Sequence, residues 1–380
     1  MFKMITTLLL PLVLSLSIAE AAIVPNPAAP RIAAKSYILQ DFESGKVLAE
    51  SNSKQRLPPA SITKLMTAYI VSKELESGNI SLADDVLISE KAWRMVGSRS
   101  FIEVNTNVPV EVLLRGMIIQ SGNDAAVALA EHIAGSEETF SQMMNQYAQQ
   151  LGMVDTHYQN STGLPAKEHY TTAADIAILS AAIIRDFPEH YKWYAEKEFT
   201  YNNITQHNRN KLLWRDTTVD GLKTGHTDEA GYCLAASAKR SGMRLISVVL
   251  GTRSVNARAQ ETQKLFNFGF RFFESHELYK QHEKISDIKV WKGAGTVLDL
   301  GVEKSLSVTV PRGRNKDIVV ISKIKKPIVA PIKEGDVLGV VEFQLDDNTV
   351  ATHPLIALTN IEKGSWWTRL IDTILMMIWT

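Results

Sequence analysis

A serine and a lysine stand three residues apart in Pro58-Pro59-Ala60-Ser61-Ile62-Thr63-Lys64-Leu65-Met66-Thr67-Ala68-Tyr69-Ile70. A serine hydroxyl is a weak nucleophile until a base sits beside it, and three residues is close to one helical turn. The neighbours supply the helix. Pro58 and Pro59 hold the preceding chain extended, so a helix can begin only after them. Ile62, Leu65, Met66, Tyr69 and Ile70 recur at helical spacing and give it an apolar face. Ser61 then falls in the first turn, where backbone N–H groups lack partners and the dipole is positive, which would suit the oxyanion of a seryl ester. The same pattern also fits a helix-capping serine and a solvated lysine, so the chemistry depends on what else the chain brings to this point.

Two further clusters qualify. Pro109 starts a helix with Leu113, Leu114, Met117 and Ile118 on one face, and a second helix, Ala125 to Ala134, follows with Asn123 or Asp124 as its cap. Ser121 and Asn123 therefore project from a tight interhelical turn, although Ser-Gly-Asn-Asp is also ordinary turn chemistry. Lys223-Thr224-Gly225-His226 lies on a strand. It is followed by Tyr232 to Ala238 and, across Arg240-Ser241-Gly242, by Leu245 to Leu250. These small and apolar runs suit a sheet covered by helices on both faces. A hairpin at Ser36–Asp41 and Lys46–Glu50 precedes the first helix, and Val255 to Phe273 returns to helical spacing. The spacing predicts an α/β sandwich over residues 32–282 whose strands come from both of its ends. Met95 to Ser100 reads as a loop edging a cleft, and Thr172 with Asp175 has capping-box spacing.

The 380 residues exceed one ordinary domain, and a 45% hydrophobic content can fill a large core. Lys plus Arg number 41 and so do Asp plus Glu, so no net field selects nucleic acid. No internal repeat and no nucleotide-binding glycine pattern is present, and nothing in the sequence calls for a metal or cofactor. Residues 1–21 have a secretory pattern: Lys3, an apolar run through Ile18, and Ala19-Glu20-Ala21 as a small-x-small cleavage site. Cys233 is the only cysteine, which excludes an internal disulfide and fits a small buried side chain. Residues 283–359 change to short β-like runs between Pro, Gly and Asp-Asn turns, a small all-β domain. In residues 360–380, Trp366, Trp367, Leu370, Ile371, Ile374, Leu375, Ile378 and Trp379 recur at three- and four-residue steps. That is an amphipathic helix, too short to span a bilayer with Asp372 inside it and suited to lying in a membrane interface.

Ser61-x-x-Lys64, Ser121-x-Asn123 and Lys223-Thr224-Gly225, in this order and in these contexts, form the triplet of penicillin-binding proteins and serine β-lactamases. The sequence resembles the low-molecular-mass D-alanyl-D-alanine carboxypeptidases over nearly the whole mature chain. The likeness also covers Gln120 to Ala125, Leu222 to Asp228, Phe270 to Glu274 and Pro311 to Arg314. It implies a catalytic domain of the β-lactamase and transpeptidase type, an antiparallel sheet covered by helices, followed by a β-rich stalk and an anchoring C-terminal helix at the periplasmic face of the inner membrane. It implies peptidoglycan pentapeptide as substrate and β-lactam antibiotics as covalent inhibitors.

Each residue type has a chemical reason. Lys64 can be a base only when neutral, and burial or a nearby cation such as Lys223 lowers its pKa. Ser121 can relay a proton to the departing amine, and Asn123 can donate to the substrate backbone. The N–H groups of Ser61 and His226, the latter following Gly225, would form an oxyanion hole. Thr224 and an arginine would hold the terminal carboxylate. The family pattern points to Arg258, and Arg209 is a second candidate. The His226 side chain is not needed as a base.

Two rivals remain on the sequence. A β-lactamase needs a glutamate for its deacylating water; Glu198-Phe199-Thr200-Tyr201-Asn202 offers one, but it reads as a strand and lies far along the chain from Ser121. A non-catalytic wall-binding protein would lack Ser61, Lys64 or Lys223, and none is missing.

Overall fold

The computed structural model describes residues 28–379, so the secretory pattern at 1–21 lies outside the described residues. Alternation of small and apolar side chains builds the central sheet. Strands β1 (Ser36–Asp41), β2 (Val47–Ser51), β3 (Val219–Thr227), β4 (Gly231–Arg240) and β5 (Met243–Thr252) form it, all antiparallel, in the order β2-β1-β5-β4-β3. Along β5, Ile246, Val248 and Leu250 point into one core while Leu245 and Val249 point into another, so both faces are buried. The strands do come from both ends of the unit.

On one face lies α6 (Val255–Phe272), with Leu265, Phe266 and Phe268 packed on Leu39, Leu234 and Leu245. The other face carries α1 (Lys64–Glu76), α2 (Val110–Ile119), α3 (Asn123–Ala134), α4 (Glu137–Gln150) and α5 (Ala173–Asp186). Two details depart from the sequence expectation. A 3-10 turn, Ala60–Thr63, holds Ser61, and the α-helix proper starts at Lys64. That helix is also not one-faced, because every residue from Lys64 to Ser72 is buried. It runs through the middle of the helical layer, where its polar side chains find internal partners; Thr67 Oγ1 donates to Ser161 O at 2.7 Å.

Two expected caps also differ. Helix α3 begins at Asn123 after Gly122 and has no side-chain cap, leaving Asn123 and Asp124 free for other work. Thr172 does accept from Asp175 N at 3.0 Å. The Asp175 carboxylate instead accepts from Asp155 N and Thr156 Oγ1, tying the helix to the preceding loop rather than closing the box.

The first strand of the second unit, β6 (Phe273–Tyr279), starts ahead of residue 283 and pairs with Leu306–Pro311. A six-stranded sheet completes the unit around Leu298, Leu300, Val341, Phe343 and Leu355. Contacts to the catalytic layer are polar: Ser44 Oγ meets Thr309 Oγ1 at 2.6 Å, Lys46 Nζ donates to Thr309 O at 2.9 Å, and Arg312 Nη2 donates to Phe270 O at 2.7 Å. The last helix, α7 (Trp366–Trp379), leaves Trp366, Trp367, Ile371, Ile374 and Ile378 exposed. Its base is tied to the β unit through Gly364 N to Lys292 O at 2.8 Å. No described helix is long and apolar enough to cross a membrane.

Candidate active site

Ser61 is presented by the 3-10 turn and backed by the loop Asn160 to Leu164. Gly163 makes the close approach possible. Its φ is +84°, and a Cβ there would lie 1.8 Å from Ala60 O and 2.9 Å from Thr63 Oγ1. The neighbouring Thr162 O thereby reaches the lysine.

Lys64 Nζ has three oxygen neighbours: Thr162 O at 2.6 Å, Asn123 Oδ1 at 2.7 Å and Ser61 Oγ at 3.1 Å. The orientation of the Asn123 amide is fixed, because its Nδ2 donates to Val96 O at 2.6 Å. A carbonyl and an amide oxygen can only accept, whereas a hydroxyl can also donate. A neutral amine has two N–H groups and one lone pair. Two N–H groups on the two obligate acceptors leave the lone pair facing the Ser61 hydroxyl. Burial lowers the Lys64 pKa from 10.5 to about 7; Asp124 and Glu137 pull it up, and Arg209 pushes it down. Arg209 is thus a cation acting on Lys64 beside Lys223, the source expected from the sequence. Lys223 is itself buried and held well below its ordinary value, by burial first and then by Lys64, Arg209 and Arg258.

Ser121 sits opposite with φ at +71°, and its buried Oγ has no hydrogen-bond partner among the described residues. Strand β3 brings Lys223, Thr224, Gly225 and His226 along the third side. The His226 ring is exposed and lies 4.0 Å from the Tyr232 ring, centroid to centroid, so its side chain packs rather than reacts. Arg258, near the start of α6, donates to Gly225 O at 3.1 Å and Cys233 O at 3.4 Å, and burial lowers it to about 10. Arg209 donates to Gln120 O at 3.2 Å and is also lowered by burial. Neither arginine nor either lysine meets a carboxylate within salt-bridge distance among the described residues.

These walls enclose a cleft of about 440 Å³ lined by Ser61, Ser121, Asn123, Arg209, Thr224, Gly225, His226 and Arg258. The ten site residues put forward from the sequence, Arg209 included, meet here, with Lys64 and Lys223 just beneath. Thr162, Gly163 and Glu137 were missed and Asp124 was read only as a helix cap; the local signal for Thr162 and Gly163 was the turn-forming Asn-Ser-Thr-Gly run. Glu198 is exposed on a hairpin with Ile204–His207 and faces His207 Nδ1 at 3.4 Å, so it supplies no water-activating carboxylate.

A serine beside a buried, neutral-leaning lysine, with a second hydroxyl across a cationic cleft, defines an active-serine acyl-transfer enzyme. Comparison with known proteins narrows the class. The profile of the D-alanyl-D-alanine carboxypeptidases, peptidase family S11, matches residues 23–254, and that of the penicillin-binding protein 5 C-terminal domain matches residues 273–363. The D-alanyl-D-alanine carboxypeptidase DacA of Escherichia coli K12 is 44% identical over 359 residues, covering 92% of this chain and 89% of its own. The crystal structure of penicillin binding protein 5 from Haemophilus influenzae superposes with a TM-score of 0.86 at 42% identity, over 89% of this chain and 100% of that one. Penicillin-binding protein D2 of Listeria monocytogenes, in its ampicillin-bound form, matches with a TM-score of 0.60 at 31% identity over 64% of this chain and 100% of that one. The chain belongs to the D-alanyl-D-alanine carboxypeptidase family of serine peptidases, and the fold expected from the sequence is the fold of that family.

Proposed function

We propose that this carboxypeptidase removes the terminal D-alanine of peptidoglycan pentapeptide stems through an acyl-enzyme on Ser61. The observation that carries the reading is the hydrogen-bond pattern of Lys64 Nζ, which leaves its lone pair for the serine. Lys64 takes the Ser61 proton as Oγ attacks the carbonyl of the penultimate D-alanine. The tetrahedral oxyanion is met by the N–H groups of Ser61 and His226. The proton passes from Lys64 through Ser121 to the leaving amine, the C–N bond breaks, and D-alanine departs. Lys64 is then neutral again, the form that the water step requires. Asn123 donates to the stem backbone, while Thr224, Lys223 and Arg258, with Arg209, hold the terminal carboxylate. A β-lactam ring acylates Ser61 by the same route, a reading supported by the ampicillin-bound relative.

The test is direct. Labelled penicillin should add one mass to Ser61, and Ser61→Ala should abolish it; no adduct, or an adduct on the variant, refutes the reading. A pentapeptide ending in D-Ala-D-Ala should yield free D-alanine rather than a cross-linked dimer.

The export pattern at 1–21 and the exposed apolar side chains of α7 support a placement on the periplasmic face of the inner membrane, with the β-rich unit as spacer. Deleting residues 360–380 should release the enzyme from membranes with its turnover in solution intact. Continued membrane association of that truncation overturns the placement.

A further inference from the structure

Two buried carboxylates near the nucleophile have no part in the steps above. Asp124 is fully buried and has no cationic partner within salt-bridge distance among the described residues. It accepts from Ser100 N with both oxygens, at 2.8 and 2.9 Å, and from Ala125 N at 2.9 Å. It sits in the first turn of α3, where the helix dipole favours a negative charge. Ser100 belongs to the loop that edges the cleft, and the same loop is held by Asn123 N to Ser98 O at 2.7 Å and Asn123 Nδ2 to Val96 O. The packing there has no slack: a Cβ on Gly122 would come within 2.1 Å of Ser100 Oγ.

Glu137 does the same for the opposite wall. It is buried at the start of α4, and its Oε1 accepts from Ser161 N at 3.1 Å and Ser161 Oγ at 2.8 Å, with Lys91 on its outer side at 3.1 Å. Ser161 precedes Thr162, whose carbonyl holds Lys64.

We propose that Asp124 and Glu137 form a paired clamp: each carboxylate pins one wall of the cleft through backbone N–H groups, and together they face Lys64 with negative charge. They are positioning residues, because neither touches the reacting atoms. The charged and titratable groups that face Lys64 are then Asp124 from α3, Glu137 from α4, Arg209 from the loop before β3, Lys223 from β3 itself, and His169 from the loop before α5. The two acids oppose the cations. Burial and cations alone would drive Lys64 neutral so firmly that it would become a weak base; the acids keep it basic enough to take the serine proton.

This inference rests on the reading of Lys64 as the base. The experiment measures the pH dependence of acylation by a fluorescent penicillin in the full chain and in Asp124→Asn, Glu137→Gln and Asp124→Ala. Removing a negative charge makes the protonated lysine less favourable, so in Asp124→Asn and Glu137→Gln the acidic limb should move to lower pH. Asp124→Ala, which frees the Ser98–Ser100 wall, should lower acylation roughly 100-fold across the profile, the scale of a 1 Å misplacement. A purely structural role would slow acylation without moving the limb. An unmoved or upward-moving limb in both charge variants overturns the inference. If Asp124→Asn does not fold, Glu137→Gln decides alone, because its amide oxygen can still accept from Ser161. Failure of the function reading looks different: the unaltered chain would not be acylated at Ser61 at all.

Discussion

The pH profile of acylation is the sharpest consequence of the buried lysine. Taking Lys64 from 10.5 to about 7 is a shift of about 3.5 units, or about 5 kcal/mol in favour of the neutral amine. At about pH 8 an ordinary lysine is roughly 0.3% neutral and one with this pKa roughly 90%, so the site gains about 300-fold in available base. Stopped-flow acylation by a fluorescent penicillin should therefore show one proton-linked acidic limb centred near 7. The second perturbation has the opposite sign to loss of an acid. Arg209 pushes Lys64 down, so Arg209→Gln should move the limb upward. The position of the limb in the second-order rate constant reports the free enzyme, so it is separable from any loss of carboxylate binding in that variant. A limb near 10, or a rate independent of pH across the neutral range, would refute the assignment of Lys64 as base.

Three more outcomes follow from the same geometry. Gly163→Ala should cut acylation roughly 100-fold, since its Cβ would lie 1.8 Å from Ala60 O and either the loop or the nucleophile turn must move; unchanged acylation by fluorescent penicillin would contradict the close approach. His169 Nδ1 accepts from Gln159 N at 3.2 Å, so Nε2 carries the proton donated to Thr63 at 2.8 Å. Burial lowers its pKa from 6.5 to about 4, so its stabilisation is complete above 6.5 and lost as pH falls through 4. That contribution is about 3 kcal/mol, and urea unfolding should show His169→Gln losing less stability than the unaltered chain between neutral and acid pH. Ser121→Ala removes a hydroxyl that makes no hydrogen bond in the structure, so the melting temperature should hold while turnover of the pentapeptide falls roughly 100-fold; full turnover would remove Ser121 from the proton path.

How far the sequence could be read depended on the range of the interaction. Ser61 and Lys64 are one helical turn apart, and turn, strand and helix signals put Ser121, Asn123 and Lys223 on elements that can face them. The uniform burial of α1 was not legible, because periodicity counts apolar residues and passes over Thr67 and Ser72, which are buried with polar partners. Thr162 could not be found for a related reason. Its contribution is a carbonyl oxygen, and it reaches Lys64 from 98 residues away. Asp124 and Asp175 both looked like caps by spacing; each instead holds a loop whose position only the tertiary fold decides. Arg209 was the weaker arginine on sequence alone because it lies in a loop with no pattern around it, yet it faces both lysines.

The difference between the two lysines shows how one cleft can do two jobs. Both are buried and both are depressed, but the charges around them differ. Lys64 faces Asp124 and Glu137 as well as Arg209, so its balance falls near neutrality, where a base is useful. Lys223 is faced by basic groups, Lys64, Arg209 and Arg258, with no acid among the causes of its shift, and its Nζ donates to Thr224 O at 3.3 Å. A carboxylate bound beside Thr224 would add the negative charge that Lys223 lacks, and by the same electrostatics would raise its affinity for a proton. That carboxylate would also raise Lys64 if it bound too near, which would spoil the base. Arg258 is anchored by the carbonyls of Gly225 and Cys233 on the sheet side of the cleft, and Lys64 by the Thr162 and Asn123 oxygens.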